Sequence, residues 1–481
     1  MKPTYFNAMP GTRRFAHLFA ASVLTAALSA CAVGPNYVQP DSTLPTRFTH
    51  TPTAATQSAQ LEAWWRSFQD PVLNQIVERV LAENLDLAAS QARVAQARAV
   101  AHMADARLLP QGELAAQAAS ERQSLGSPLG KIAHAFPGYN RDQTLYDLGA
   151  GASWELDLSG GLHRQQEADH AEAEAAEADG LGVRVSVAAE AADAYFRVRG
   201  AQRRIALAEE QIKTDDALLA LIDLRVHEGL ATRREQAEAE ARLAQVRASV
   251  PRIVVERDVQ LNRLDVLMGA QPGSYAAALA TTAQDVHLPA MSAMPAPESL
   301  LRRRPDVLAA ERRLAASNAR IGAAMSEYYP KFSLSALLGF ENLQSARATS
   351  ATFQPQAVAG LHWRLFDFGR VDAEVAQAKG GNAEALARYR QAMLRATEDV
   401  ENALLTQAQL DTERHELQRE IAADTDARSS AEDAYTGGTT SLLEVLEQDR
   451  QLLSARDQLA SADTDTARAV VATYRALGGG W

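Results

Sequence analysis

The chain has one cysteine, Cys31, in 481 residues. That excludes an internal disulfide and any metal centre built on several cysteines. Aromatic residues make up only 6%. Ala, Glu, Gln, Arg and Leu crowd the middle of the chain, a balance that favours long helices over a compact mixed domain. Positive charge is also short: the formal net charge is -12, which argues against a nucleic-acid partner. No Gly-rich phosphate loop, HExxH or CxxC is present, so no catalytic or metal site is predicted. The length leaves room for more than one structural region.

What is present begins with a targeting segment. Lys2, Arg13 and Arg14 give a positive start. A largely apolar run, Phe15 to Ala27, follows and is too short to span a membrane as a mature helix. Leu28-Ser29-Ala30 then places small residues before Cys31. This pattern resembles a lipobox, which implies that the Cys31 thiol carries diacylglycerol and the new N-terminus an acyl chain. The alternative is a buried free cysteine behind an ordinary signal peptide. The next residue is Ala32 rather than aspartate, which by similarity to bacterial lipoproteins argues against inner-membrane retention. Each buried methylene of such an anchor contributes about 0.8 kcal/mol.

The remainder is a duplication. Asn84-Leu85-Asp86-Leu87-Ala88-Ala89 matches Arg304-Pro305-Asp306-Val307-Leu308-Ala309, and the helical stretches that follow end at Pro110 and Pro330. Trp154 in WELDLSG matches Trp363 in WRLFDFG, and Gly229 in HEGLAT matches Gly438 in TGGTTS. An ordered series of matches at a nearly constant offset indicates a repeated unit of roughly 200 residues. Each unit reads helix, strand, strand, long helix, turn, helix.

The strands are marked by alternation. Leu148, Ala150, Ala152, Trp154, Leu156 and Leu158 alternate with Gly149, Gly151, Ser153, Glu155 and Asp157. Phe332, Leu334, Ala336, Leu338 and Phe340 lie opposite Lys331, Ser333, Ser335 and Glu341. Ala357, Ala359, Leu361, Trp363 and Leu365 lie opposite Gln356, Gly360, His362 and Arg364, and Leu114, Ala116 and Ala118 opposite Glu113 and Gln117. Period-two alternation over about ten residues is the pattern of a barrel strand, apolar toward lipid and polar toward a lumen. An edge or sandwich strand of a soluble domain is the competing reading. Four strands cannot close a barrel, and open edges are not tolerated in lipid. Several copies must therefore share one, and the residues do not choose between two copies and three.

Leu162 to Val226 and Val371 to Tyr435 contain no proline. Each predicts a helix of about 65 residues, roughly 100 Å at 1.5 Å per residue. That is several membrane thicknesses, so these helices project into the periplasm. Gly180, Gly182, Gly380 and Gly381 are expected to interrupt them, and Pro251 to kink the return helix of the first unit.

Four motifs carry a family resemblance: Cys31-Ala32-Val33-Gly34-Pro35-Asn36-Tyr37; Trp64-Trp65 with Asp70-Pro71; Arg303-Arg304-Pro305-Asp306-Val307 with Ala310-Glu311; and Ala476-Leu477-Gly478-Gly479-Gly480-Trp481. In this order the chain resembles the TolC-like outer-membrane efflux factors, in their OprM/NodT-type lipoprotein branch. The resemblance implies a mainly α fold with a membrane β-barrel. Three chains form a twelve-stranded barrel on a twelve-helix periplasmic α-barrel, with an equatorial belt between them. It implies no chemistry and no cofactor beyond the lipid on Cys31. The implied function is a passive duct that exports drugs or other small molecules. The implied partners are two further copies, a periplasmic adaptor, an inner-membrane pump (usually of the resistance-nodulation-division type, in some members major-facilitator) and outer-membrane lipid. On this scheme residues 1–30 are a signal peptide and 31–72 a lipidated belt segment. The first repeat occupies 73–295, with strands at about 112–121 and 144–158. The second occupies 296–481, with strands at about 331–342 and 355–368 and a C-terminal belt segment.

The resemblance also implies a gate at the periplasmic tip. Tyr435 and Gly438 match the family pattern, and Glu444 and Glu447 take its two aspartate positions. Thr440 stands where TolC has a latching arginine, so that latch is absent or rebuilt. Arg234 and Glu235 hold the facing tip positions of the first repeat and are candidates for a different salt link. Glu444 and Glu447 share a helix face, and threefold symmetry would make them two acidic rings that attract cations. Leu443 and Tyr435 are candidates to relieve the repulsion. Gly229, Leu230 and Thr232, with Gly438, Thr439 and Ser441, are the expected adaptor contacts.

Two other functions compete. A structural spacer lipoprotein would need long helices and an anchor but not amphipathic strands. An enzyme would need a cluster of chemistry-bearing residues, yet His163 and His170 share a helix face with no accompanying acidic pattern. They are expected to be lumen or surface residues.

Overall fold

The computed structural model describes residues 32–41, 47–50, 61–275, 279, 287–289, 297–298, 302–343 and 347–481. Cys31 and the predicted leader lie outside these residues. After a single 3-10 turn, Trp64–Phe68, come α1 (Pro71–Glu83), α2 (Leu85–Arg107), β1 (Gln111–Arg122), α3 (Pro128–Ala133) and β2 (Asp142–Leu156). The long helices of the first repeat are α4 (Gly161–His227) and α5 (Arg233–Leu267). The second repeat supplies α6 (Pro305–Ser326), β3 (Lys331–Asn342), β4 (Phe353–His362), α7 (Arg370–Thr436) and α8 (Leu442–Ala476). The protein is thus mainly helical with a small sheet.

The duplication is visible in the lengths. α4 and α7 have 67 residues each, and α5 and α8 have 35 each. The expected interruptions do not occur: α4 runs through Gly180 and Gly182, and α7 through Gly380 and Gly381. Glycine in a helix costs about 1 kcal/mol relative to alanine, too little to break a helix of this length. Pro251 lies inside α5 without ending it. Among the described residues no helix is long and apolar enough to cross a membrane.

The chain divides into two compact units, each drawing on both repeats. One comprises Met1–Gln39, Ala95–Ala175 and Glu311–Arg388. Its centre is a four-stranded antiparallel sheet in the order β1-β2-β3-β4. Trp154 Nε1 donates to the Leu108 carbonyl at 2.9 Å, and Trp363 Nε1 to the Tyr328 carbonyl at 3.0 Å. In each repeat, then, a tryptophan near the strand's end clamps the backbone just beyond the preceding helix. β4 ends at His362, short of the expected 368, because its partner strand begins at Lys331 and Pro330 before it has no N–H to give. Likewise β2 stops at Leu156, opposite Phe332. Leu158, Trp363 and Leu365 continue the alternation outside the pairing.

The N-terminal motif is threaded into this unit by polar contacts. Arg164 donates to the Val33 carbonyl at 3.2 Å and to Asn36 Oδ1 at 2.7 Å. Asn318 Nδ2 donates to the Pro35 carbonyl at 3.0 Å, and the Tyr37 hydroxyl to Glu311 Oε1 at 2.6 Å. Gly34 has φ +98° and lies so close to Gly322 that a Cβ would collide with that backbone. Glycine is required at Gly34 on both counts.

The other unit comprises Pro40–Val94, Ala176–Ala310 and Tyr389–Trp481. Its core joins Trp64, Trp65, Phe68, Leu73 and Val77 to Tyr195, Phe196, Leu264, Leu404, Val471 and Leu477. Trp64 stacks on Tyr474 with ring centroids 5.3 Å apart. Asp70 caps α1, accepting from Val72 N at 2.9 Å and Leu73 N at 3.2 Å, while its other oxygen accepts from the Tyr195 hydroxyl at 2.5 Å. Arg304 is buried and donates to Asp306 at 3.0 and 2.8 Å, to Asp399 at 2.9 Å and to the Ala476 carbonyl at 3.1 Å. Gly480 N donates to the Leu61 carbonyl at 2.7 Å, and Arg184 to the Gly480 carbonyl at 2.9 Å. The RRPDV and ALGGGW motifs are therefore one fastening for the chain's C-terminal end.

Candidate functional site

Two places in the structure bear on function: the faces of the sheet and the turns at the ends of the long helices. In an antiparallel pair, residues directly opposite each other share a face. The register pairs Ala116 with Leu148 and Leu148 with Phe340, and β3 in turn places Phe340 opposite Phe353. Ala150 meets both Leu114 and Leu338, and Leu338 meets Pro355; Trp154 meets Leu334, which meets Ala359. Most of the large apolar residues of the four strands thus fall on one side. The other side carries Gln111, Glu113, Gln117, Asp147, Ser153, Glu155, Ser333, Ser335, Glu341, Gln354, Gln356 and His362. Several residues depart from the division: Leu145, Leu337 and Val358, with Ala115 and Ala119, belong to the polar side. Slipping one strand by a single residue would reverse its faces, so this registration is a strong constraint. β1 and β4 are each paired along one edge only among the described residues. Unpaired edges and an apolar face cannot both be left in water or lipid.

The second place is the pair of helical turns. Gly229 and Gly438 both have φ +73°. Gly229 N donates to the Val226 carbonyl and Leu230 N to the Arg225 carbonyl; Gly438 N donates to Tyr435 and Thr439 N to Ala434 in the same pattern. Both are Schellman caps, which need a residue that tolerates positive φ. The next helix in the first repeat starts with a capping box. Thr232 Oγ1 accepts from Glu235 N at 3.2 Å, and Glu235 Oε2 accepts from Thr232 N at 2.6 Å. This backbone bond holds the Glu235 carboxyl below the usual carboxylate range.

Beneath the turns a small apolar cluster joins the two repeats. Ile222 and Ala239 pack with Leu442, Val445 and Leu446, with Leu218, Leu219, Val226, Ala431 and Tyr435 at the margin. Leu442, Val445 and Leu446 take the buried face of α8. Leu443, Glu444 and Glu447 are consequently left on the exposed face together. Arg450 donates to Glu447 at 2.9 Å and holds its carboxyl below the usual range. Gly229, Leu230, Thr232, Gly438, Thr439 and Ser441 are all exposed.

The expected link from Arg234 or Glu235 to the second repeat is not made. Arg234 pairs with Glu238 on its own helix at 3.0 Å, and Glu235 is used in the capping box. The link comes from Arg225 instead. Its guanidinium donates to the Tyr435 hydroxyl, stands 5.7 Å from that ring's centroid, and reaches the Leu230 carbonyl at 3.5 Å. Further polar contacts join α4 to α5, α5 to α8 and α7 to α8. Asp215 is paired with Arg242 at 3.2 Å, Arg242 donates to the Leu446 carbonyl, and Asp449 accepts from Arg428 at 2.6 Å. Burial pushes the Asp215 carboxyl above its ordinary range, against the pull of Arg242. Arg225, Asp215, Arg242, Arg428 and Asp449 did not stand out in the sequence, because a lone charge on a long helix has no period.

The two histidines do have acidic partners, contrary to expectation. His163 lies 2.7 Å from Asp157, and His170 lies 2.7 Å from Asp105, whose carboxyl the hydrogen bonds from His170 and Gln166 draw down to a pKa of about 2. The partners come from the turn before α4 and from α2, so spacing along α4 could not reveal them. Among the described residues no group of His, Cys, Asp and Glu could hold a metal ion.

Comparison with known proteins places these features. The family model described as outer membrane efflux protein matches residues 76–270 and 296–479. The pyoverdine export outer membrane protein OpmQ of Pseudomonas putida is 31% identical over 432 residues, 89% of this chain and 91% of that protein. The solved outer-membrane channel OprN superposes with a TM-score of 0.84 at 35% identity, covering 94% of this chain and 100% of the other. The open state of the Neisseria gonorrhoeae MtrE outer membrane channel superposes with a TM-score of 0.82 at 25% identity, covering 94% and 98%.

Proposed function

Because the chain belongs to the outer membrane efflux protein family, and is an outer-membrane efflux channel rather than an enzyme, we propose that three copies share one twelve-stranded barrel as the exit duct of a tripartite export system. The observation that carries this reading is the registered sheet. It has four strands, one continuous apolar face and two edges with no partner among the described residues. Lipid would cover the apolar face, and the edges would pair β1 of one copy with β4 of the next. The polar side, with Glu113, Asp147, Glu155 and Glu341, would line the lumen.

The long helices would continue the lumen into the periplasm, and the tips would form its gate. Glu444 and Glu447 lie on one exposed face of α8, which supports two stacked acidic rings, with Leu443 and Tyr435 beside them. The contact of Arg225 with Tyr435 would take over from the latch that Thr440 cannot make. The exposed turns at Gly229, Leu230 and Thr232 and at Gly438, Thr439 and Ser441 would meet a periplasmic adaptor. That adaptor would couple the duct to an inner-membrane pump, which supplies energy and selects cargo; a resistance-nodulation-division pump is the expected class. Residues 1–30 would be removed as a signal peptide and Cys31 acylated. The segment 31–72 and the chain's C-terminal end would form the belt between barrel and periplasmic helices, the two repeats occupying 73–295 and 296–481.

Purified protein tests this reading by its oligomeric mass and its single-channel conductance in a planar bilayer. A trimer with a small, cation-selective conductance supports it. A folded monomer that conducts nothing would leave the spacer lipoprotein as the better account.

A further inference from the structure

The apolar side of the sheet is not smooth. Near the β1–β2 hairpin end it contains a hollow of about 330 Å³. Its floor is Ala116 and Ala118 of β1 with Tyr146 and Leu148 of β2, Phe340 of β3 stands on its far side, and Gln117, Asp147 and Asn342 complete the strand lining. The register explains the shape. Ala118 is opposite Tyr146 and Ala116 opposite Leu148, so two small side chains face two large ones and leave a trough between strands. Arg347 and Ala348, from the β3–β4 connection, also line it.

Arg347 is the basic member. Its side chain has no hydrogen bond or ion pair among the described residues, although other arginines of this unit, such as Arg164, Arg312 and Arg364, are paired. An unpaired guanidinium beside an apolar trough fits a ligand with an acyl chain and an anionic head. The register sets its floor residues on the face opposite Glu113 and Glu341, and so away from the path of exported cargo, while Gln117 and Asp147 also contribute to its lining. It also lies at the end of the sheet remote from the long helices, which places it toward the outer leaflet if those helices are periplasmic.

We propose that this hollow is a binding site for a phosphate-bearing lipid of the outer leaflet, with an acyl chain over Ala116, Ala118 and Leu148 and a phosphate on Arg347. The inference rests on the channel reading above. Continuity decides for lipid over a protein partner: the hollow is set into the face that the barrel turns to the membrane, and it is too small for a folded surface. The bound lipid would tie the β3–β4 connection to the membrane and fix the outer rim of the barrel.

The test uses the full-length protein in detergent, with bis-phosphorylated lipid A as the probe and native mass spectrometry as the readout. Conductance is recorded on the same samples. Retained lipid A is expected, with about tenfold weaker retention after Arg347→Ala, the size of one lost charge-assisted hydrogen bond. Dephosphorylated lipid A should bind the natural protein as weakly as intact lipid A binds that variant. Ala118→Trp, tolerable on a lipid face near the rim, should displace the chain while leaving Arg347 intact. Pores with equal retention of phosphorylated and dephosphorylated probes, or retention unaffected by both substitutions, would overturn this proposal and leave the channel reading standing. Folded protein that makes no pores would overturn both.

Discussion

Removing the Arg225–Tyr435 contact should open the channel. The guanidinium meets the phenol hydroxyl and stands 5.7 Å from the ring centroid, with both residues half-buried. A hydrogen bond from a charged donor contributes about 1.5–3 kcal/mol when buried, and partial exposure reduces that to about 1 kcal/mol. The cation–ring attraction adds about 0.5 kcal/mol at an exposed site. Arg225→Ala should therefore weaken the closed tip by about 1.5 kcal/mol per protomer, roughly tenfold in the closed-to-open ratio. Tyr435→Phe keeps the ring and loses only the acceptor, so about 1 kcal/mol, or roughly fivefold, is expected. The double variant should resemble Arg225→Ala, because both changes delete one interaction. Single-channel recording in planar bilayers reads the open fraction directly, and low salt limits screening of the exposed pair. If both single variants stay as closed as the natural protein, or if their effects simply add, the contact is not a latch.

Other substitutions probe the acidic face and the scaffold. Glu444→Ala with Glu447→Ala should raise conductance and weaken block by multivalent cations; unchanged conductance and block would remove both residues from the pore. Arg450 holds the Glu447 carboxyl below the usual carboxylate range. Block at Glu447 should thus survive acidification to the ordinary carboxylate pKa and be lost only as pH falls through the lowered value, which a pH titration of block would show. Asp70→Ala loses a helix cap worth about 1 kcal/mol and leaves the Tyr195 hydroxyl, which still accepts from Arg199, without an acceptor, at a further cost of about 1–2 kcal/mol. Denaturant unfolding should register a loss of about 2–3 kcal/mol, and a change below measurement error would contradict the assigned bonds. Gly34→Ala puts a Cβ into the Gly322 backbone at positive φ; little folded protein should be recovered from the outer membrane, whereas normal yield would mean the N-terminal segment packs otherwise.

The sheet was the most legible part of the sequence, for a physical reason. A strand with lipid on one side and a lumen on the other must alternate, and the alternation in β1 to β4 is what the register then aligns. Its ends were less legible. The pattern runs on through Trp363 and Leu365, but pairing stops where Pro330 interrupts the partner strand. The glycines of α4 and α7 suggested breaks that the long hydrogen-bonded ladders override. Cross-helix pairs such as Arg225 with Tyr435 and Asp215 with Arg242 lay beyond reach, since nothing local tells a helix which distant residue will face it. The N- and C-terminal motifs were recognisable as family marks, and only the structure gave their cause: Gly34 against Gly322, and Gly480 tied to Leu61 and Arg184.

The central claim is that neighbouring copies close one barrel through β1 and β4, and cross-linking tests it most directly. Single cysteines would be placed along the free edge of β1, from Leu114 to Ala118, and along that of β4, from Gln356 to Gly360, in all pairwise combinations. Oxidation in intact outer membranes should give, for the pairs in register, covalent dimers and trimers and nothing larger. Monomer from every pair, or a ladder running past the trimer, would contradict a barrel shared by three chains.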